Sequence, residues 1–117
     1  MPNPTFPQMV SALAKPGQDI LNNLTPNQVH ILHMLIGLSG EVGELGDGIK
    51  KGIIYNKPFD FENLIEELGD IEFYLEGLRQ GLGVMREEAL AHCQRKLAKR
   101  YGEKYSDSAA QLRADKA

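Results

Sequence analysis

The chain has 117 residues, 42% of them hydrophobic and 25% charged, and this composition predicts one globular domain and excludes a disordered protein. Its formal net charge of -3 gives no electrostatic footprint for nucleic acid, so no nucleic-acid partner is expected. A single cysteine, no apolar run of about 20 residues and no amino-terminal signal pattern together predict a cytoplasmic protein that does not span a membrane.

The first segment is an arm, residues 1–24, which contains four of the six prolines. Because proline interrupts helices, the arm is predicted to be irregular, with at most a short helix around Phe6 to Ala14. The arm ends at Thr25-Pro26, which predicts a helix start. The threonine hydroxyl can cap free backbone donors, and the proline presets φ at the first helical position.

The helix that follows has an apolar stripe at intervals of three and four residues, reaching to about Lys51. Its members are Leu32, Leu35, Leu38, Val42, Leu45 and Ile49. The stripe keeps its phase through Ser39-Gly40, which favours a single long helix, although the glycines leave a kink or a break open. Glycine and proline in residues 52–60, GIIYNKPFD, then predict a connector.

A second helix begins after Asp60, whose carboxylate is a suitable cap. Its apolar stripe is the most regular in the chain and consists of Leu64, Leu68, Ile71, Leu75, Leu78 and Leu82. The glycine-rich turn at 81–83 leads to a third helix from about Arg86 to Tyr101. The inward face of this helix is predicted to carry Leu90, Cys93 and Leu97.

These patterns predict an all-α domain of three main helices and some short ones over residues 1–117, with no strands. We divide it into the arm 1–24, a core 25–105, and a polar tail 106–117 that forms a loose end or a short surface helix. A left-handed bundle normally closes with four helices. We therefore expect a homo-oligomer, a dimer or a tetramer, whose second copy completes a four-helix-bundle-like core.

Acidic side chains occur in two pairs at i,i+3 spacing, one on each long helix. Glu41 and Glu44 border the first apolar stripe, and Glu67 and Asp70 border the second. If the two stripes pack together, all four carboxylates meet at one edge of the interface. Their mutual repulsion then requires a cation, and oxygen ligands suit Mg²⁺, with Mn²⁺ possible. The lack of a Glu-x-x-His motif argues against a di-iron site.

Glycines are unusually frequent beside these carboxylates. Each costs a helix about 1 kcal/mol relative to alanine, so a close approach should compensate. The sequence predicts that a neighbouring helix or a ligand comes near them. The positions are Gly40, Gly43, Gly46, Gly48 and Gly69.

The order Glu41-x-x-Glu44 then Glu67-x-x-Asp70 resembles the signature of the MazG-like all-α nucleoside triphosphate pyrophosphohydrolases. The resemblance extends over roughly residues 25 to 108 and includes the segments SGEVGELGDGIKK, EELGDIEFYLEGLRQ and KLAKRYGEKYSD. It implies Mg²⁺-dependent hydrolysis of a (deoxy)nucleoside triphosphate to the monophosphate and pyrophosphate, with these four carboxylates as metal ligands and catalytic residues. One of them, such as Glu44, would orient or deprotonate the attacking water.

Basic residues are expected to meet the phosphates. Lys51 lies two turns beyond Glu44 on nearly the same face. By the resemblance, Lys96, Arg100 and Tyr101 of the third helix inherit a phosphate-side role. The alternative for them is that basic residues at a helix end complement the macrodipole.

His33 lies about three turns before Glu44 on the same face, as His30 does for Glu41. That distance suits contact with the base of a nucleotide, and a partly buried structural histidine is the alternative. Zinc is disfavoured because too few ligands are nearby.

Two other functions fit the same pattern. The substrate can be shifted within the fold, to phosphoribosyl-ATP in histidine biosynthesis or to deoxyuridine triphosphate. From a different class, a non-catalytic helical module can bind a basic partner through its acidic edge. The sequence leaves the preferred base and the number of metal ions open.

Overall fold

The structure is a computed structural model and describes residues 2–102 and 104–113. Every regular element in this part of the chain is an α-helix, which confirms the all-α class. The elements are α1 (Phe6–Leu13), α2 (Gly17–Asn22), α3 (Pro26–Ile53), α4 (Phe61–Leu82), α5 (Arg86–Tyr101) and α6 (Asp107–Leu112). Residues 114–117 of the predicted tail lie outside the described residues, while the part before them contains α6.

Helix α3 begins at the predicted cap. The backbone N–H of Gln28 donates to the Thr25 hydroxyl at 3.2 Å, and the Thr25 N–H donates to Gln28 Oε1 at 2.9 Å, which completes a capping box. The helix continues without a break through Ser39-Gly40, so the prediction of one long helix is confirmed.

Helix α4 also has the predicted ends. Asn63 N–H donates to Asp60 Oδ1 at 3.1 Å at its start. At its end Gly83 has φ +71°, and the Val84 and Gly83 N–H groups donate to the carbonyls of Arg79 and Gln80 in a Schellman motif. This left-handed position favours glycine.

The arm contains two helices. Helix α1 occupies the segment where the sequence allows one, and it has its own Thr5–Gln8 capping box. Helix α2 is not among the predicted helices. Its six residues follow Pro16 and begin with Gly17, and a Pro-Gly pair is typical of a turn. The arm helices bury none of their residues, and the predicted boundaries at 24 and 105 stay predictions.

Helices α3 and α4 pack side by side and run antiparallel, as shown by the pairing of their positions along the contact. We call this contact the seam. It contains the two buried side chains of the described chain, Met34 and Glu67, which are 7% and 8% exposed. Other seam positions are His30, Gly37, Glu41, Gly48, Asn63, Asp70, Tyr74, Gly77 and Gly81.

Within one chain the two apolar stripes are covered only in part, because Leu64 packs at Gly48 while other stripe residues stay exposed. Val42 on α3 and Leu68 on α4 are each 52% exposed, and Leu82 is 62% exposed. At 100° per residue, both stripes lie about 90° around their helices from the seam. Because the helices are antiparallel, these equal offsets put both stripes on one side of the pair. We call this side the apolar face.

Helices α5 and α6 pack on each other and not extensively on the α3–α4 pair. Leu90, Cys93 and Leu97, predicted to face inward, are exposed in this chain. The described part of one chain therefore does not form the bundle by itself. No described helix combines the length and the apolar character that crossing a membrane requires.

Candidate metal centre

Three carboxylates from the two long helices meet at the seam. One oxygen each from Glu41, Glu67 and Asp70 lies within 4.8 Å of the others. The spacing of three residues puts Glu67 and Asp70 on one face of α4, and the antiparallel packing brings Glu41 of α3 opposite them. Glu67 is buried, and the other two are half-buried. This arrangement has the composition of a site for a hard divalent cation.

Two oxygens of this cluster lack a donor. Oε2 of Glu41 and Oε2 of Glu67 are buried and accept no hydrogen bond from any described residue. A buried carboxylate oxygen without a donor is costly, and native proteins rarely keep one without a reason. A cation at this point would satisfy both oxygens, so the residues present fit Mg²⁺ or Mn²⁺.

The crowding of carboxylates also changes the acidity of Glu67. Its pKa is raised from 4.5 to about 7. The largest cause is the hydrogen bond that protonated Glu67 can make to the Glu41 carboxylate, followed by burial. Glu44 contributes both a hydrogen bond and its negative charge in the same direction. Ionisation of Glu67 is therefore harder than that of an ordinary glutamate, and a positive charge entering the site would favour it.

The fourth predicted ligand, Glu44, lies at the edge of the cluster. It is exposed and close enough to Glu67 to affect its acidity, but it does not belong to the group of three converging oxygens. The structure thus brings Glu41, Glu67 and Asp70 together and keeps Glu44 beside them. Glu44 is free to contact a water or a substrate.

A groove of about 350 Å³ adjoins the cluster and extends towards the connector. Lys51 lines it, as its position two turns beyond Glu44 suggests. The lining residues are Glu44, Asp47, Gly48, Lys51, Lys57, Pro58, Asp60, Asn63 and Glu67.

Sequence reasoning assigned no site role to several of these residues. Asp47 continues the face of Glu41 and Glu44 by one further step of three, so helical spacing contains a signal for it. Lys57 is on the connector, where no period applies, and only the folded chain shows that it reaches the groove. The sequence predicts only a capping role for Asp60.

The glycine prediction is partly wrong. A Cβ at Gly48 would lie 2.9 Å from Leu64 Cδ2, so close approach does require glycine there. At Gly40, Gly43, Gly46 and Gly69 a Cβ would meet nothing within 4 Å in this chain. Close contacts occur instead at glycines that are not in the predicted set. They are Gly37 against Tyr74, Gly77 against Met34, Gly52 against Phe59, and Gly81 against Ile31.

The remaining predicted residues lie away from the groove lining. His33 is exposed on α3, whereas His30 is half-buried with Nε2 2.8 Å from the Gly77 carbonyl oxygen. Lys96, Arg100 and Tyr101 lie on α5, which does not pack extensively against the seam helices. Their assigned substrate roles stay predictions.

Comparison with protein-family models, with curated proteins and with solved structures gave no match for this chain. The resemblance of the carboxylate-bearing segments to the MazG-like family therefore stays a prediction.

Proposed function

We propose that the protein is a MazG-like, Mg²⁺-dependent pyrophosphohydrolase of (deoxy)nucleoside triphosphates that acts on the cytoplasmic nucleotide pool. The observation that carries this proposal is the convergence of Glu41, Glu67 and Asp70, with two donorless buried oxygens, at one end of a groove that also contains lysines. A cation site beside a groove that contains two lysines suits a polyphosphate better than it suits a neutral ligand.

The reaction adds water across the bond between the α- and β-phosphates. A bound divalent cation supplies charge neutralisation at phosphate oxygens and a more acidic water. Glu41, Glu67 and Asp70 would hold that cation. The water oxygen bonds to the α-phosphorus, the bond from that phosphorus to the bridging oxygen breaks, and pyrophosphate leaves with the bridging oxygen. Glu44, which is outside the converging three, would accept the proton from the water.

A panel of nucleoside triphosphates tests the proposal. Purified protein with Mg²⁺ should release one pyrophosphate for each monophosphate formed, and EDTA should stop the release. Mn²⁺ should replace Mg²⁺ because both accept carboxylate oxygens. No pyrophosphate from any triphosphate with either metal would overturn the proposal and favour the non-catalytic interaction module.

We further propose that the active form is a homo-oligomer in which a second copy covers the apolar face. The chain has 9,599 Å² of accessible surface, while a compact monomer of 13.0 kDa has about 6,300 Å². Its radius of gyration is 20.4 Å, against about 13 Å for a compact domain of this length. The excess of about 3,300 Å² on one chain is well above the roughly 800 Å² that one partner buries in a standard interface, which favours an obligate assembly.

A charge on the apolar face should break this assembly. We expect Leu68→Glu to convert the oligomer to a monomer, because a carboxylate buried between apolar side chains loses its hydration. Ile36→Glu is the control, since Ile36 is also an exposed apolar residue but lies outside both stripes. Light scattering after size exclusion measures the mass. A monomeric wild type at micromolar concentration would contradict the proposed interface.

A further inference from the structure

The connector between α3 and α4 is held in place at several points. The Lys57 N–H donates to the Lys51 carbonyl oxygen at 3.2 Å, and Asn56 adopts a left-handed turn with φ +56°. The Phe59 ring rests on Gly52, where a Cβ would collide with it. Asp60 then caps α4. These contacts fix the backbone of Lys57 at the rim of the groove.

The groove therefore has two lysines at its connector end. Lys51 comes from the last turn of α3, and Lys57 comes from the connector. Within the described residues, neither lysine has an ion pair with a carboxylate within 4.0 Å, although Asp47 and Asp60 line the same groove. Lys50 is different, because its Nζ lies 5.5 Å from the centre of the Tyr55 ring and does not line the groove.

The groove runs in one direction from the metal centre. Glu44 and Glu67 line its inner end, and the lysines line its outer end. In the opposite direction along the seam, Tyr74 packs on Gly37 and Met34 packs on Gly77, so side chains fill the space. A polyanion that reaches the metal centre through this groove must extend towards Lys51 and Lys57.

We infer that Lys51 and Lys57 form a binding site for the terminal phosphate of a polyphosphate whose inner phosphates lie at the metal centre. This inference rests on the proposed function and adds to it the direction of the substrate and the role of Lys57. Seven residues separate Glu44 from Lys51, about 10 Å along α3, a span that a triphosphate and a lysine side chain bridge together.

The charges of the groove add a condition. Carboxylates outnumber the lysines, with Glu44, Asp47, Asp60 and Glu67 against Lys51 and Lys57. A free polyanion is therefore repelled, and a divalent cation must enter first. Inorganic tripolyphosphate should bind with Mn²⁺ and not in EDTA.

The test compares Lys57→Met with Lys50→Met in the full-length protein. Free Mn²⁺ measured by electron paramagnetic resonance gives the metal affinity, and calorimetry with Mn²⁺ present gives the affinity for tripolyphosphate. We expect both variants to bind Mn²⁺ like the wild type. Lys57→Met should bind tripolyphosphate about 10- to 100-fold more weakly, the range for loss of a hydrogen bond to a charged group. Lys57→Arg should retain most of the affinity.

The outcomes separate the two proposals. Normal Mn²⁺ binding with equal tripolyphosphate affinity in Lys57→Met and Lys50→Met would overturn the inference alone. No Mn²⁺ binding by the wild type would overturn both the inference and the proposed function. Lys57 is exposed and only its backbone holds the connector, so its replacement should leave the fold intact, which circular dichroism checks.

Discussion

Replacing Glu67 by glutamine should abolish the proposed hydrolase activity and yet stabilise the metal-free protein. The amide keeps the shape of the side chain and removes the charge that Glu41 and Glu44 oppose. Metal affinity should fall at least ~100-fold. Loss of a residue that only hydrogen-bonds to a metal ligand costs up to about 100-fold, and Glu67 would be a ligand itself. At pH 8 without metal, the variant should melt at a higher temperature than the wild type.

The sign of this effect follows from the raised pKa. Folded Glu67 has a pKa of about 7, above its ordinary value of 4.5, so the folded state holds this proton more tightly than the unfolded state. The free energy of unfolding of the metal-free wild type should therefore fall as pH rises from about 4.5 to 7, and this contribution should stay constant above that range. The Glu67→Gln variant should lack this decrease.

Melting temperatures across pH 4.5 to 8, with EDTA or with Mn²⁺, measure both effects. Mn²⁺ at pH 8 should raise the melting temperature of the wild type and leave that of Glu67→Gln unchanged. The neighbouring exposed residue supplies the control, since Glu66→Gln should behave as the wild type. A Glu67→Gln variant that keeps full Mn²⁺ affinity would disprove the ligand assignment.

Alanine at two nearby glycines of α3 should have opposite effects on stability. At Gly40 a Cβ meets nothing within 4 Å, so Gly40→Ala should gain about 0.5–1 kcal/mol of helix propensity. At Gly37 a Cβ collides with the Tyr74 ring. Overpacking costs about 1–3 kcal/mol, so Gly37→Ala should lose about 1–2 kcal/mol net.

Urea unfolding of both variants measures these changes. Gly37→Ala should also weaken Mn²⁺ binding, because moving Tyr74 separates α3 from α4 one turn away from Glu41. If Gly37→Ala were as stable as Gly40→Ala, the seam would not pass through Gly37. Gly40→Ala is thus a matched control for helix propensity on the same helix.

The ends of the helices could be predicted because their causes are local. Thr25, Asp60 and Gly83 act on backbone groups within a few residues, and each is where the sequence indicates. The pairing of Glu67 with Asp70 could also be predicted, since it depends only on helical spacing.

The packing of the helices could not be predicted in the same way. Hydrophobic periodicity locates an apolar face but does not say which surface covers it, and here the covered seam contains glycines and carboxylates instead. Gly37 and Gly77 allow the backbones to approach, which periodicity does not register. Lys57 reaches the groove only because the connector folds back on Lys51. The position of α5 depends on contacts outside its own sequence.

The seam has a consequence for how the protein acquires its structure. Met34, at 7% exposure, is the one buried apolar side chain of the described residues, so an isolated protomer gains little hydrophobic free energy from its own contacts. In the proposed homo-oligomer most of that gain would come from association, and mass action would then couple folding to subunit concentration. The melting temperature should therefore rise with protein concentration, as it does in assemblies whose isolated subunits are not stably folded.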